Sequence, residues 1–267
     1  KDTASSGAAP ARVLTTGQLP DGSSTAERGE PNRQQVFQAC QQIGVSLIGG
    51  HSEITAAVKQ PIITGTMIGE VSHQDLVTPR GAQPGDTLLL TKGVPIEAVS
   101  ILAREFPKQL QSELSLEEIA AAQDYLYQPG ISVLKDAQTA LKAGQVTAMH
   151  DPTEGGLAAA LWELATACGH DLVVDLLGIP IPPLGKQICA VFQIDPLAAI
   201  ASGALLLTTP ANQVAPICQA LEMEGISCTQ IGRVERGNGK VWSEGGGKVD
   251  LQMYPERDEI ARVVESR

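Results

Sequence analysis

Apolar positions along this chain switch repeatedly between a two-residue and a three-to-four-residue spacing. Residues 11–16, 45–48 and 61–71 read as strands by that criterion. The segment 20–32 is rich in Gly, Ser, Pro and charge and reads as a loop. Asn32 can cap a helix over 33–42, where Val36, Phe37, Cys40 and Ile43 share one face and Gly44 supplies the stop. A dense run of turn residues at 78–86 is the best linker candidate, with a plain β-turn inside one domain as its alternative. Residues 87–90 form an apolar strand, and 95–104 a helix with Ile96, Val99 and Leu102 as its stripe. Ser115-Leu116-Glu117-Glu118 has the pattern of a capping box that opens another helix. Pro129-Gly130 breaks it, and helical spacing resumes over 131–142.

The second half continues in the same mixed style. A strand at 146–149 leads through a short acidic motif into a helix that begins at Gly155 and ends near Cys168, with Leu157, Leu161, Leu164 and Cys168 as its buried stripe. Strands are expected at 172–176, 203–208, 227–234, 241–242 and 249–254, with a helix over 211–224 and a last short one opened by 255–259. Strands and helices do not alternate strictly. That favours an α+β or mixed-sheet α/β fold over a doubly wound one.

Composition narrows the picture. At 267 residues and 43% apolar, the chain supports one large or two modest domains with a sizeable core. A net charge of −11 and only 3% aromatic residues leave neither a basic stripe for phosphate backbones nor platforms for base stacking, so nucleic acid is not an expected partner. No apolar run approaches the roughly 20 residues of a membrane span, and none has the form of a signal peptide. The five cysteines, at 40, 168, 189, 218 and 228, show no metal-ligand spacing. Such a scattered set suits reduced thiols and a cytoplasmic location.

Two motifs carry candidate chemistry: Gly49-Gly50-His51-Ser52-Glu53 and His150-Asp151-Pro152-Thr153-Glu154-Gly155-Gly156. Each follows a strand-like run and puts carboxylate and imidazole groups where that strand should end. Glycines let a ligand approach backbone N–H groups closely. A helix N-terminus suits a phosphate, and carboxylates beside a phosphate call for a cation such as Mg²⁺. Each motif also has a plain structural reading. Asp151 or Thr153 can cap the following helix, with Glu154 returning to a backbone N–H. Gly49-Gly50 can be a β-bulge or a tight strand exit. Thr91-Lys92-Gly93 is half of a phosphate loop but lacks the rest of that motif, and reads as a strand-to-helix turn with a solvated lysine. His73 and His170 read as surface residues. No Gly-x-Ser-x-Gly elbow is present to support nucleophilic catalysis.

Taken in order, five stretches resemble the aminoimidazole ribonucleotide (AIR) synthetase superfamily, most closely its HypE and selenophosphate synthetase branches. They are residues 1–10 (Lys-Asp-Thr-Ala-Ser-Ser-Gly-Ala-Ala-Pro), Gly49-Gly-His-Ser-Glu53, Pro84-Gly-Asp86 before the strand at 88–90, Met149-His-Asp-Pro-Thr-Glu-Gly-Gly-Leu157, and Asp195-Pro-Leu followed by Ser202-Gly-Ala-Leu-Leu206. The resemblance implies a two-domain architecture, with a partial first domain over 1–79 that supplies dimerisation and ATP-site strands and a second over 80–267. It implies an ATP- and Mg²⁺-dependent enzyme that phosphorylates an oxygen, of the amide or carbonyl type, on a small molecule, and a homodimer. By position, Asp2, Glu53 and Asp151 would be the Mg²⁺ carboxylates. Gly49, Gly50, His51, Thr153, Gly155 and Gly156 would bind ATP and its phosphates. A non-catalytic nucleotide-binding or scaffolding relative is the alternative.

The chain departs from the family pattern at several points. The family carries a further acidic segment ahead of its Asn-Asp motif, which this chain does not contain. Lys1 stands in place of the Asn. Glu154 stands where the HypE branch has Arg, reversing a charge at the phosphate-facing helix. The chain ends Glu-Ser-Arg267, without the terminal cysteine that carries the carbamoyl group in HypE, so the cyanide-forming activity is not expected.

Overall fold

The structure is a computed structural model that describes residues 2–22, 26–244 and 257–265. The chain divides into two compact units, Ala8–Leu76 and a larger one made of Lys1–Gly7 with Val77–Arg267. The first helical turn, α1 (Asp2–Ser5), therefore belongs with the larger unit.

The smaller unit contains β1 (Ala9–Pro20), α2 (Ala26–Gln42), β2 (Ser46–Thr55) and β3 (Ile62–Glu70). Its sheet has the order β2-β1-β3, with β1 parallel to β2 and antiparallel to β3. A small core of Val13, Val36, Cys40, Val45, Leu47 and Met67 joins α2 to one face. Two expectations are corrected here. The segment 20–32 is not all loop, because α2 starts at Ala26. The helix runs through Pro31, whose missing N–H forfeits one helical bond, and this turn-like composition hid its first two turns. Nor does a strand end at Gly49-Gly50: β2 continues through the whole motif to Thr55. The bulge reading holds, since the register steps from Val13↔Leu47 to Leu14↔Gly49, leaving Ile48 as the extra residue.

The larger unit is built on β4 (Asp86–Thr91), β5 (Ala148–His150), β6 (Asp171–Val174), β7 (Leu206–Pro210), β8 (Cys228–Glu235) and β9 (Val241–Ser243). They form one sheet in the order β5-β7-β4-β8-β6-β9, antiparallel except for the β6–β9 pair. The mixed-sheet expectation is met. Central β4 is buried along its whole length because both faces of the sheet are covered. Leu88 and Leu90 pack with Leu157, Leu161 and Leu164 of α7 (Gly156–Cys168), the stripe expected for that helix. Leu89 faces the other way, toward Ala137 and Ala140 of α6 (Leu134–Ala143) and Ile217 and Leu221 of α9 (Val214–Met223).

A separate cluster joins α3 (Ile96–Glu105), α4 (Pro107–Leu110), α5 (Leu116–Gln123), α8 (Pro183–Phe192) and α10 (Glu259–Glu265). The expected capping box is present: Ser115 Oγ accepts from the Glu118 N–H, and the Glu118 carboxylate accepts from the Ser115 N–H. Helix α8 had no sequence expectation. Pro183 at its first turn and Gln193 in a left-handed conformation bound it. The strand expected at 249–254 lies outside the described residues. No helix among the described residues is long and apolar enough to cross a membrane.

Candidate functional site

In the larger unit, β5 delivers His150 and then Asp151 at the edge of the sheet. Asp151 is buried, at 5% exposure. His150 Nε2 lies 2.6 Å from Glu163 Oε2 on the exposed side of α7. Thr153 is half-buried and Glu154 is exposed. Helix α1, which carries Asp2, packs against β5 and α6, so Asp2 and Asp151 sit on neighbouring elements of one unit. The Asp2 side chain lies outside the described residues.

The start of α7 differs from the expected cap. Neither Asp151 nor Thr153 stands at the cap position; Gly155 occupies it at φ +75° and provides no side chain. The cap comes from far along the chain. The Gly155 N–H donates to Asp258 Oδ2 at 2.7 Å, while Oδ1 of the same carboxylate accepts from Ile260 N–H at 2.9 Å. Asp258 thus serves the starts of α7 and α10 together, and its charge suits both helix dipoles. The Gly156 N–H donates to the Thr153 carbonyl and the Ala158 N–H to the Leu197 carbonyl. Gly156, at φ +64°, is required by packing: an added Cβ would lie 2.5 Å from Leu197 O and 2.6 Å from Ala199 O. Much of the donor capacity at this helix start is therefore used inside the chain, and the anion resting on it is the protein's own carboxylate.

In the smaller unit, Gly49, Gly50, His51 and Glu53 lie along β2 beside Leu14, Thr15, Thr16 and Gln18. A Cβ on Gly50 would overlap the Thr15 carbonyl oxygen, so only glycine passes there. Glu53 Oε1 accepts from Gln18 Nε2 at 2.9 Å, and Glu53 Oε2 is 3.8 Å from His51 Nε2. Both side chains are exposed, at 68% for His51 and 43% for Glu53. Among the described residues no group of three or more His, Cys, Asp or Glu side chains is placed to hold a metal ion. The described side chains alone therefore do not form an assembled Mg²⁺ cage.

Lys92 corrects another expectation. It is not solvated: its side chain is 5% exposed and its Nζ lies 3.2 Å from Asp136 Oδ2. It also donates to the Ser132 carbonyl at 2.8 Å, while Thr91 Oγ1 donates to Asp136 Oδ1 at 2.7 Å. Burial lowers the Lys92 pKa, and the Asp136 carboxylate opposes that shift. Sequence reasoning missed Asp258 and Glu163 as well. The available signal was a helix-start pattern, Asp258-Glu259, for the first, and exposure opposite the apolar stripe of α7 for the second.

Residues 1–71 match the family model for the N-terminal domain of AIR synthase related proteins, and residues 83–243 match that for the C-terminal domain. The chain belongs to the AIR synthase related family. It is 27% identical over 224 residues to carbamoyl dehydratase HypE of Cupriavidus necator, a match covering 80% of this chain and 57% of that protein. It is 23% identical to the selenide, water dikinase of Methanocaldococcus jannaschii over 216 residues, covering 75% of this chain and 60% of that protein. The chain thus spans rather less than two thirds of these relatives.

The fold comparison agrees. A crystal structure of the hydrogenase maturation protein HypE in complex with ATP superposes with a TM-score of 0.79 at 22% identity, covering 97% of this chain and 78% of that one. Thiamine monophosphate kinase of Aquifex aeolicus gives 0.72 at 21%, covering 93% and 78%. A HypE–HypF complex gives 0.73 at 17%, covering 93% and 80%. These likenesses establish an AIR synthetase-like fold.

Proposed function

We propose that this protein is an ATP- and Mg²⁺-dependent enzyme that phosphorylates an oxygen of a small molecule, of the amide or carbonyl type. The carrying observation is Asp151. It is a carboxylate held buried at the end of an edge strand, with the Asp2-bearing helix packed on that same strand, in a chain whose fold matches an ATP-bound HypE. A carboxylate oxygen is a hard donor of the kind Mg²⁺ takes, and its place before a helix start puts it where a phosphate can share the ion. In this reading Asp2 and Asp151 ligate Mg²⁺, and Thr153, Gly155 and Gly156 face phosphate, which takes over from Asp258 as the acceptor of the Gly155 N–H. The roles of Gly49, Gly50, His51 and Glu53 toward phosphate and Mg²⁺ rest on the family resemblance alone. The substrate oxygen attacks the γ-phosphorus, and ADP leaves with the electron pair of the broken P–O bond.

The second reading is a non-catalytic nucleotide-binding or scaffolding relative. The self-capped start of α7 favours it. Melting with Mg–ATP, combined with an assay for ADP release, decides among these. Ligand at 100 times its Kd adds about 2.7 kcal/mol of stability. A shift with ADP release supports the enzyme, and a shift without ADP release across candidate substrates supports the binding relative. No shift at millimolar Mg–ATP removes the enzyme and the nucleotide binder and leaves the scaffolding relative.

We also propose a cytoplasmic homodimer built on the smaller unit. Its three-stranded sheet has β2 and β3 as edges, and Leu14, Ile48, Ile54, Ile62 and Ile68 are each about 40–50% exposed on it. Light scattering at micromolar concentration tests this, and a monomeric mass rules it out. The odd, scattered set of five cysteines suits a reducing compartment.

A further inference from the structure

We propose that Cys218 and Cys228 are an oxidisable pair that closes to an intramolecular disulfide when the protein meets a peroxide. The inference is independent of the nucleotide reading. Cys218 lies in α9 and Cys228 opens β8, and the Cys218 Sγ–H donates to Cys228 Sγ at 3.1 Å. Both thiols are half-buried, and both pack against the same core cluster as Leu221 and Ile226.

The chain between them makes this approach a fixed feature. Helix α9 ends at Met223, Gly225 turns the chain at φ +74°, and the Ile226 N–H donates to the Leu221 carbonyl at 2.9 Å. An ion pair of 2.8 Å from Lys135 on α6 to Glu224 holds the turn from outside. At the other end, Cys228 is paired in register with Thr91 of central β4. Two elements anchored on each side therefore hold the sulfurs face to face. Bond formation needs them to close from 3.1 Å to a disulfide length of about 2.0 Å, a shift within reach of side-chain rotation.

Burial and the neighbouring Cys218 sulfur push the Cys228 thiol up, and the same disulfide forms whichever of the two sulfurs attacks first. With Cys218 first, its thiolate attacks one oxygen of hydrogen peroxide, the O–O bond breaks, and hydroxide leaves, taking up the thiol proton as water. The resulting sulfenic acid is attacked by Cys228 sulfur. The S–S bond forms, the S–O bond breaks, and a second water leaves with the Cys228 proton. Two thiols are oxidised by two electrons and one peroxide is reduced to two waters. Among the described residues no other two cysteine sulfurs meet in this way.

The test is peroxide treatment of the intact chain, followed by alkylation of the remaining thiols and mass spectrometry, with N-acetylcysteine as a reference thiol oxidised to completion. The expected product is lighter by two hydrogens, alkylates at three of its five cysteines, and yields a linked Cys218–Cys228 peptide that dithiothreitol separates. Cys218→Ser and Cys228→Ser each abolish the linked peptide, whereas Cys40→Ser retains it. Five thiols still alkylatable when the reference is exhausted would overturn the proposal. So would a bridge to Cys40, Cys168 or Cys189, a bridge between two chains, or stable sulfinic acid on Cys218.

Discussion

The backbone N–H of Gly155 donates a 2.7 Å hydrogen bond to Oδ2 of Asp258, which lies 103 positions further along the chain. A carboxylate therefore already rests at the helix start where the proposed function places a phosphate. Asp258→Ala removes the cap of two helices and is expected to lower stability by about 0.5–2 kcal/mol, measured by urea denaturation. It also frees the Gly155 donor, so Mg–ATP binding by titration calorimetry is expected to tighten. Weaker or unchanged binding would mean that the start of α7 is not where the phosphate sits.

Asp151 separates ligand chemistry from local structure, now that Asp258 supplies the α7 cap. Asp151→Asn keeps the shape and removes a charged oxygen ligand. Expected is little change in the unliganded melting temperature and a loss of Mg–ATP affinity of about tenfold or more, the size of effect typical when a metal-site group is altered. Affinity equal to the parent's would refute the metal role.

Gly49 and Gly50 are adjacent but predict opposite outcomes. At Gly49 an added Cβ makes only ordinary contact, 3.4 Å from Leu14 Cδ2, whereas at Gly50 it overlaps the Thr15 carbonyl. Gly49→Ala is expected to leave folding within about 0.5 kcal/mol. Gly50→Ala should destabilise the smaller unit by about 1–3 kcal/mol or more, seen as earlier proteolysis within residues 8–76. Equal effects would mean that the β1–β2 bulge tolerates a side chain.

Acid sensitivity is expected at Asp171. Burial pushes its carboxyl upward, but hydrogen bonds from Lys240 N–H, Trp242 Nε1–H and Asn238 N–H outweigh that and hold it below the usual 3.8. Because the folded value is the lower one, the stabilisation is full above the unfolded value and is lost as pH falls through the folded value. The melting-temperature gap between the parent and Asp171→Asn should therefore be widest near neutral pH and shrink below pH 3.8. A gap independent of pH would assign the effect to geometry and not to charge.

How much of this was legible beforehand depends on how far each cause reaches along the chain. The β4 strand, the α7 stripe and the Ser115–Glu118 capping box could be read because their causes lie within a few residues: side-chain period, and a serine hydroxyl meeting an N–H three positions on. The family could be read because its motifs keep glycines and carboxylates in order along the chain. The early start of α2 was not legible, since Gly29 and Pro31 argue locally for a loop while the rest of the helix packs onto the sheet through Val36 and Cys40.

The sequence alone determined the mixed α/β class, the family and the two motifs, because periodicity and motif order are properties of near neighbours. Only tertiary structure decided that β2 runs through Gly50, that Lys92 is buried against Asp136, that Cys218 meets Cys228, and that Asp258 caps α7. Each of these depends on which backbone or charged group arrives from a distant segment. Local propensity has no term for that, because the desolvation and hydrogen bonding that settle it exist only once the sheet has closed and its faces are covered.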